Sequence, residues 1–578
     1  MEARGLKRKI IMHVGPTNSG KTYNALRALA SAESGYYAGP LRLLAQEIWE
    51  RFNRGTIEPL IPNPTKSSNV VPCNLITGED RREVSPDARL QSCTIEMLTL
   101  LQRFHVGVVD EIQMMADRDR GGSWTFALIA SNVRELHLCG EETAVPLVRS
   151  MLKETGDDLT VKYYKRLTPM HVDTESLNGN WANVRKGDCV VTFSRDGIFA
   201  LKRQIEAVTG LRCAVAYGRL PPEIRSEQAA LFNDPDSGYD VMVASDAVGM
   251  GLNLKIKRIV FAMLHKFNGA ERAPLPISQV KQIAGRAGRY GLHGDTPSPG
   301  LATTFYPADL PWLKHAIDQP NKPLQRAIRS FVLDDIRKFI YLLPEGVSLR
   351  EISDLLLACA RVGKEYTLAG GSLNDASIVL DQYIRELSVE ERFLFWLSPH
   401  ACGKSTPEGA VSVLFAQAHV RGDPITPTQC LAGTGMLETH ASIKAKMLSG
   451  DPPRASGYIL NLLESLHKCL ELYIWYAYRL PSTFAYAREA VALQKEVQSS
   501  IEWGLQGIAE RRALNRVPHD AKAWQQKRQD EKIEFTNRSI GSQTVTDFSS
   551  TPQPPSLVKM FNKDLMRPPR ARRASRVP

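Results

Sequence analysis

Residues 10–30 read IIMHVGPTNSGKTYNALRALA. The apolar run IIMHV (10–14) suits a buried strand and YNALRALA (23–30) suits a helix. Between them Gly15–Thr22, GPTNSGKT, fills the pattern GxxxxGK[ST] in the strand–loop–helix setting that gives it meaning. Glycines at such a loop let backbone amides curl around phosphate oxygens at a helix amino terminus. Gly15, Pro16, Thr17, Asn18, Ser19, Gly20, Lys21 and Thr22 are therefore the candidate nucleotide-binding residues. Lys21 suits the β- and γ-phosphates and Thr22 suits a magnesium ion.

Working outward, VGVVD (106–110) and LHLCG (136–140) are further strand-like runs ending in Asp or Gly, which is a βαβ pattern and predicts a parallel sheet. DEIQ (110–113) places two carboxylates where an apolar strand ends. Asp110 is suited to hold magnesium and Glu111 to act as general base toward an attacking water. A second alternating series follows in DCVVTFS (188–194), CAVAYG (213–218), DVMVAS (240–245) and RIVFAM (258–263), with an amphipathic segment at 196–207. The series predicts a second α/β lobe. In it QIAGRAGR (282–289) offers Arg286 and Arg289 three residues apart among small residues, a spacing that suits a charge clamp on a phosphate bound by the other lobe.

After about residue 322 the strand-like runs fade. LQRAIRSFVLDDIRKFIYLL (324–343) and GYILNLLESLHKCLELYIWYAYRL (457–480) read as helices, and in the latter Ile459, Leu463, Leu466, Leu470, Tyr473 and Ala477 share one face. The expected architecture is α/β: two tandem RecA-like parallel-sheet lobes (1–152 and 153–320), a mainly helical region (321–536) and a disordered basic tail (537–578). Over Asn537–Pro578 eight basic residues stand against Asp547 and Asp564, so the tail carries +6 of the net +11 and reads as an electrostatic tether for RNA. The remaining charge balance excludes a body that binds polyanions over its whole surface. No uncharged apolar run approaches the ~18 residues of a membrane span. Nine cysteines without a CxxC pair predict reduced thiols, no structural zinc and an intracellular compartment.

These strings, with AGPLRLLA (38–45), ITGEDRR (76–82), CTIEM (93–97), TFS (192–194), YGRLPPEIRSEQAALFNDP (217–235), VASDAVGMGLNL (243–254) and IWYAYRLPSTF…LQKEVQ (474–498), resemble superfamily 2 helicases. They are most similar to mitochondrial degradosome RNA helicases of the Suv-three type. The resemblance implies ATP-dependent unwinding of RNA by 3′-to-5′ translocation, loose nucleoside-triphosphate preference, a magnesium cofactor, an exoribonuclease partner and a mitochondrial matrix location. It implies Gln282, Gly249 and Gly251 at the nucleotide cleft beside Arg286 and Arg289. It places Pro40, Arg42, Thr94, Ser194 and Ser245 along the backbone of a single strand. DNA remains open as an alternative strand, and a non-catalytic RNA-binding subunit is the rival from another class.

Two features depart from the family pattern. GEET (140–143) sets Glu142 where the coupling motif is expected to carry proline. The chain also starts fourteen residues before Gly15, whereas the family carries a long amino-terminal extension with the organellar address.

Overall fold

The computed structural model describes residues 7–61, 68–99, 102–153, 155–267, 271–288, 299–340, 343–344, 346–369, 373–383, 385–399 and 406–507. Arg289 and the basic tail lie outside them. The first lobe is an eight-stranded sheet of β1 (Lys9–Val14), β2 (Gly35–Gly39), β3 (Cys73–Ile76), β4 (Arg81–Arg82), β5 (Leu90–Thr94), β6 (Phe104–Val109), β7 (Val133–Gly140) and β8 (Asp158–Tyr163). Their spatial order is β4-β3-β5-β2-β6-β7-β1-β8, with every pairing parallel except β3 to β4. β1 lies between β7 and the edge strand β8 and is buried from Ile10 to Val14, which is why it reads as unbroken apolar sequence rather than as an alternation. β8 escaped the sequence reading because its residues, DLTVKY, are mostly exposed and polar at the sheet edge.

One polar thread runs through this sheet. His13 and His137 stand on neighbouring β1 and β7. The Tyr164 hydroxyl lies 2.8 Å from His13 Nδ1, His13 Nε2 lies 2.8 Å from His137 Nδ1, and His137 Nε2 lies 2.8 Å from Glu135 Oε1. Lys9 Nζ donates to the other Glu135 oxygen at 2.9 Å. With Glu135 accepting from His137, each ring is left to accept on Nδ1, so the chain of bonds has one consistent direction from Tyr164 to the carboxylate. Burial pushes the His13 pKa down to about 3, and the His137 bond holds Glu135 down at about 2.

The second lobe is a six-stranded, all-parallel sheet of β9 (Met170–Val172), β10 (Asp188–Val191), β11 (Arg212–Ala216), β12 (Tyr239–Ala244), β13 (Arg258–Phe261) and, after the small hairpin β14 (His265–Phe267) and β15 (Arg272–Pro274), β16 (Gly300–Thr304). Its order is β11-β12-β10-β13-β16-β9. The linker Tyr164–Pro169 joins the lobes.

Beyond the second lobe the described residues, which run to 507, are mainly helical, with one correction. The stretch 324–343 is not one helix: β17 (Ala327–Arg329) pairs in parallel with β18 (Tyr366–Leu368), and the helix is confined to Leu333–Ile340. Leu324, Ala327 and Tyr366 pack into the first lobe's apolar cluster, a tertiary contact that overrides local helical periodicity. The helix Gly457–Ala477 is buried on nearly every side. Its Leu463, Leu470 and Tyr473 share a single apolar cluster with Phe199, Val215 and Tyr217 of the second lobe. At roughly 2 kcal/mol per large apolar side chain removed from water, this shared core fastens the helix to that lobe.

Candidate nucleotide and strand-binding site

Gly15 leaves β1 by donating to Gly140 O at 3.2 Å. A Cβ on Gly15 would lie 2.5 Å from Tyr164 O, so the linker's approach admits only glycine there. Asn18 (φ 61°) and Gly20 (φ 76°) turn the loop through left-handed backbone into the helix Lys21–Ala30, which begins without a side-chain cap. Its leading amides therefore face the loop interior, where the helix dipole favours an anion. Lys21 Nζ donates to Pro16 O at 3.4 Å, folded over the same hollow. Ser19 Oγ is buried and has no hydrogen-bond partner among the described residues. An orphan hydroxyl, uncapped amides and a lysine converge on one cradle, and this donor set fits the phosphates of a nucleotide.

The metal position fits as well. Thr22 Oγ1 donates to Asp110 Oδ1 at 3.2 Å, and Tyr37 donates to Asp110 Oδ2 at 3.1 Å. Trp124 Nε1 holds the Asp110 carbonyl at 2.9 Å. Burial, with the Glu111 charge adding to it and Lys21 opposing, pushes the Asp110 carboxyl up to about 6. A buried carboxylate with so little local compensation is suited to a cation. Glu111 adopts left-handed backbone at φ 53°, an uncommon conformation for a non-glycine residue, which turns its side chain away from the strand direction. Gln113 grips the Glu111 carboxylate through Nε2 and accepts from the Glu141 amide at 3.1 Å through Oε1. Gln113 stands in the DEIQ string without an assigned role and Tyr37 lies outside the quoted strings; only the fold brings them to Glu111 and Asp110.

The coupling stretch is reached from the same side. Glu141 Oε2 accepts from Thr143 at 3.4 Å and from Asn321 at 3.2 Å, while Glu142 is exposed at the head of a short helical turn. Glu142 thus points away from the contacts that Glu141 and Thr143 make with the segment leading to the helical region.

Across the cleft, Gly251 (φ 79°) lies under Leu41 of the first lobe, 2.8 Å from where its Cβ would be. A Cβ on Gly249 would meet Ile283 at 3.5 Å and Gln282 Oε1 at 3.8 Å, so Gln282 sits beside that loop. Arg286 is buried and donates to Gly249 O and to Leu252 O within its own lobe. Its guanidinium organises the SDAVGMGLNL loop in this arrangement.

Four of the five positions expected to meet a single strand share one topological feature, since each lies where a parallel strand ends. Pro40 follows β2, Thr94 closes β5, Ser194 follows β10 and Ser245 follows β12, at the carboxyl edge where open α/β sheets present their ligands. Ser194 Oγ caps the helix Arg195–Thr209 by accepting from Gly197 N at 3.1 Å, and Ser245 Oγ accepts from Ala247 N at 3.1 Å. Pro40 O accepts from Arg120 at 2.7 Å. Arg42 is differently placed. It pairs with Glu79 at 3.6 Å, with Glu471 at 2.9 Å and with Glu223, so it joins the first lobe to both the second lobe and the helical region. Burial opposes its charge, yet Glu471, Glu223 and Glu79 together push its pKa above the ordinary arginine value.

Comparison with known proteins bears on this arrangement. Residues 1–164 match the model of the DEXQ-box helicase domain of Suv3, residues 174–291 the helicase conserved C-terminal domain, and residues 460–507 the ATP-dependent RNA helicase SUV3 C-terminal domain. The chain is 38% identical over 500 residues to the mitochondrial ATP-dependent RNA helicase SUV3 of Oryza sativa subsp. japonica, covering 86% of this chain and 80% of that protein. The chain belongs to the SUV3 family. Within this family it is also 39% identical to the mitochondrial ATP-dependent RNA helicase SUPV3L1 of Mus musculus, covering 88% of this chain and 62% of that one. The mitochondrial DExH-box ATP-dependent RNA helicase DExH18 of Arabidopsis thaliana is 37% identical, with 86% and 59% covered. The chain thus spans about 60% of the length of those last two SUV3-family relatives.

Proposed function

We propose that this chain is an ATP-dependent RNA helicase that unwinds RNA duplexes by 3′-to-5′ translocation along a single strand. The observation that carries the reading is the meeting of two loops across the cleft: the phosphate cradle with Asp110 and Glu111 on one lobe, and Gly249, Gln282 and the loop Gly285–Gly288 on the other. Gly15–Thr22 bind the nucleotide, and other nucleoside triphosphates are accepted besides ATP. Thr22 and Asp110 would hold magnesium, which would supply positive charge beside the phosphates. Glu111, positioned by Gln113, takes the proton of the attacking water. Arg289 reaches the γ-phosphate from the second lobe while Arg286 shapes the loop that carries it there. Pro40, Thr94, Ser194 and Ser245 meet the strand backbone, as sequence-independent movement requires. The names of the relatives support RNA as the strand and mitochondria as the compartment; the motif resemblance extends the reading to RNA degradation beside an exoribonuclease. The test is phosphate release with and without single-stranded RNA or DNA, followed by strand displacement on matched RNA and DNA duplexes. RNA-stimulated release and displacement of the RNA duplex are expected. Failure of RNA to stimulate release removes the reading.

A further inference from the structure

The linker between the lobes is usually the part of a two-lobe enzyme with least to do, but here it is stitched to both nucleotide loops. Tyr164 N donates to Val14 O at 2.8 Å and Leu167 N donates to Asn18 O at 2.9 Å, so the linker runs along the phosphate loop. Arg166 then reaches across. Its Nη1 donates to Thr17 O at 3.0 Å in the first lobe and to Gly285 O at 2.8 Å in the second. Its Nη2 donates to Ala287 O at 2.5 Å, and its Nε to Thr168 O at 2.7 Å, which fixes the plane of the guanidinium. Beside it, Asn18 Nδ2 donates to the buried Thr168 hydroxyl at 2.7 Å, and that hydroxyl donates to Gly288 O.

Gly285 and Ala287 flank Arg286, and Gly288 precedes Arg289. Among the described residues, the carbonyls that Arg166 and Thr168 hold in the second lobe are adjacent to a candidate clamp arginine. In the first lobe the linker holds Thr17 O and Asn18 O of the phosphate loop and Val14 O at the end of β1. We propose that Arg166 is a positioning residue that sets the separation between the phosphate loop and the second-lobe loop Gly285–Gly288. It touches neither substrate nor reacting atoms. A planar guanidinium presents its donors in a rigid fork, so it fixes the separation of acceptors on two bodies, which a point-charge ammonium cannot do. A misplacement of about 1 Å at a reacting centre costs about a hundredfold in rate. The effect falls on the chemical step, because the phosphate cradle itself is complete without Arg166.

The proposal rests on the hydrolytic reading above, so Lys21→Ala is the control that separates the two. Steady-state ATP turnover with single-stranded RNA is measured for wild type, Arg166→Ala, Arg166→Lys and Thr168→Val in the full chain. Affinity for a fluorescent ATP analogue and thermal melting are measured alongside. Arg166→Ala is expected to lose about tenfold to a hundredfold in kcat with nucleotide affinity within about threefold of wild type. Arg166→Lys should recover little, and Thr168→Val, which removes a single hydroxyl, should lose less in the same direction. Wild-type kcat in Arg166→Lys, or a raised KM with unchanged kcat in Arg166→Ala, overturns the proposal, as does a lowered melting temperature with unchanged kcat. If wild type shows no turnover that Lys21→Ala removes, the hydrolytic reading fails first. If wild type turns over and Arg166→Ala matches it within about threefold, the proposal alone fails.

Discussion

Gly285 of the second lobe stands so close to Thr17 of the phosphate loop that a Cβ built on it would lie 3.0 Å from the threonine hydroxyl. The same Cβ would lie 2.9 Å from Lys281 O, so it has no direction in which to relax. Gly285→Ala should therefore push the two loops apart by a few tenths of an ångström, lowering kcat by about tenfold or more while leaving nucleotide affinity near wild type. Turnover and nucleotide titration on the same preparation check this; equal kcat means that the two loops need not approach so closely.

Lys21→Ala and Glu111→Gln should separate binding from chemistry. The first removes the one side-chain cation of the phosphate loop, so both nucleotide affinity and turnover are lost. The second keeps the Gln113 contact and the cradle, so the analogue binds while hydrolysis falls by about 10² to 10⁴-fold, the usual worth of a general base. Retained turnover in either variant contradicts the assigned role.

Asp110 is raised from 3.8 to about 6 by burial, so its contribution to stability is best below its unfolded pKa and is lost as pH rises through about 6. At neutral pH the ionised group costs at most about 3 kcal/mol, with the neighbouring Glu111 sharing in it. Asp110→Asn should melt at or above wild type while turnover collapses, since catalysis needs the charge that folding disfavours. A melting temperature clearly below wild type would mean that the Tyr37 and Thr22 bonds outweigh the buried charge.

Arg286→Lys and Arg289→Lys should differ in kind. Arg286 is spent on the Gly249 and Leu252 carbonyls, so its replacement should loosen that loop and lower the melting temperature as well as the rate. Arg289→Lys should leave melting unchanged and reduce turnover severely, as arginine fingers contribute roughly 10³ to 10⁵ in rate. Melting curves beside turnover distinguish them.

The thread from Tyr164 to Lys9 predicts acid sensitivity. His13 is lowered from 6.5 to about 3, so its stabilising effect is whole above 6.5 and is lost as pH falls toward 3. Glu135, lowered from 4.5 to about 2, acts in the same direction below 4.5. Asp110 opposes both between about 6 and 3.8, so the informative quantity is a difference between variants. His13→Asn should flatten the loss of stability between pH 6.5 and 4.5 in a denaturant series. An unchanged slope would show that His13 does not govern it.

The phosphate cradle and the two α/β lobes were legible because buried parallel strands read as apolar runs and phosphate loops need glycine at fixed spacing. β1, β6, β7, β10 and β12 fall on the expected runs, with boundaries shifted by a residue or so to two or three at most ends. What was not legible depends on partners distant in the chain. The ion pairs of Arg42 with Glu223 and Glu471 join residues far apart in sequence, and Arg166 in YKRLTP reads as an ordinary charged linker residue. β17 was hidden inside a helical pattern because its partner, β18, lies beyond the two helices, Leu333–Ile340 and Leu349–Cys359, that follow it.

The two sides of the helix Gly457–Ala477 differ in how deeply they are packed, with a mechanical consequence. Toward the second lobe Leu463, Leu470 and Tyr473 lie in one continuous core with Phe199 and Val215, and the fully buried Glu464 accepts from Arg195 and Tyr217 beside it. Toward the first lobe Glu471 meets Arg42, and Trp475 lies against Gly78. A continuous core with a buried ion pair resists sliding and is shielded from salt, whereas a partly exposed pair can be broken, re-formed and screened. When the cleft works, the helix should ride on the second lobe like a handle welded to a door, with the ionic seam as the latch.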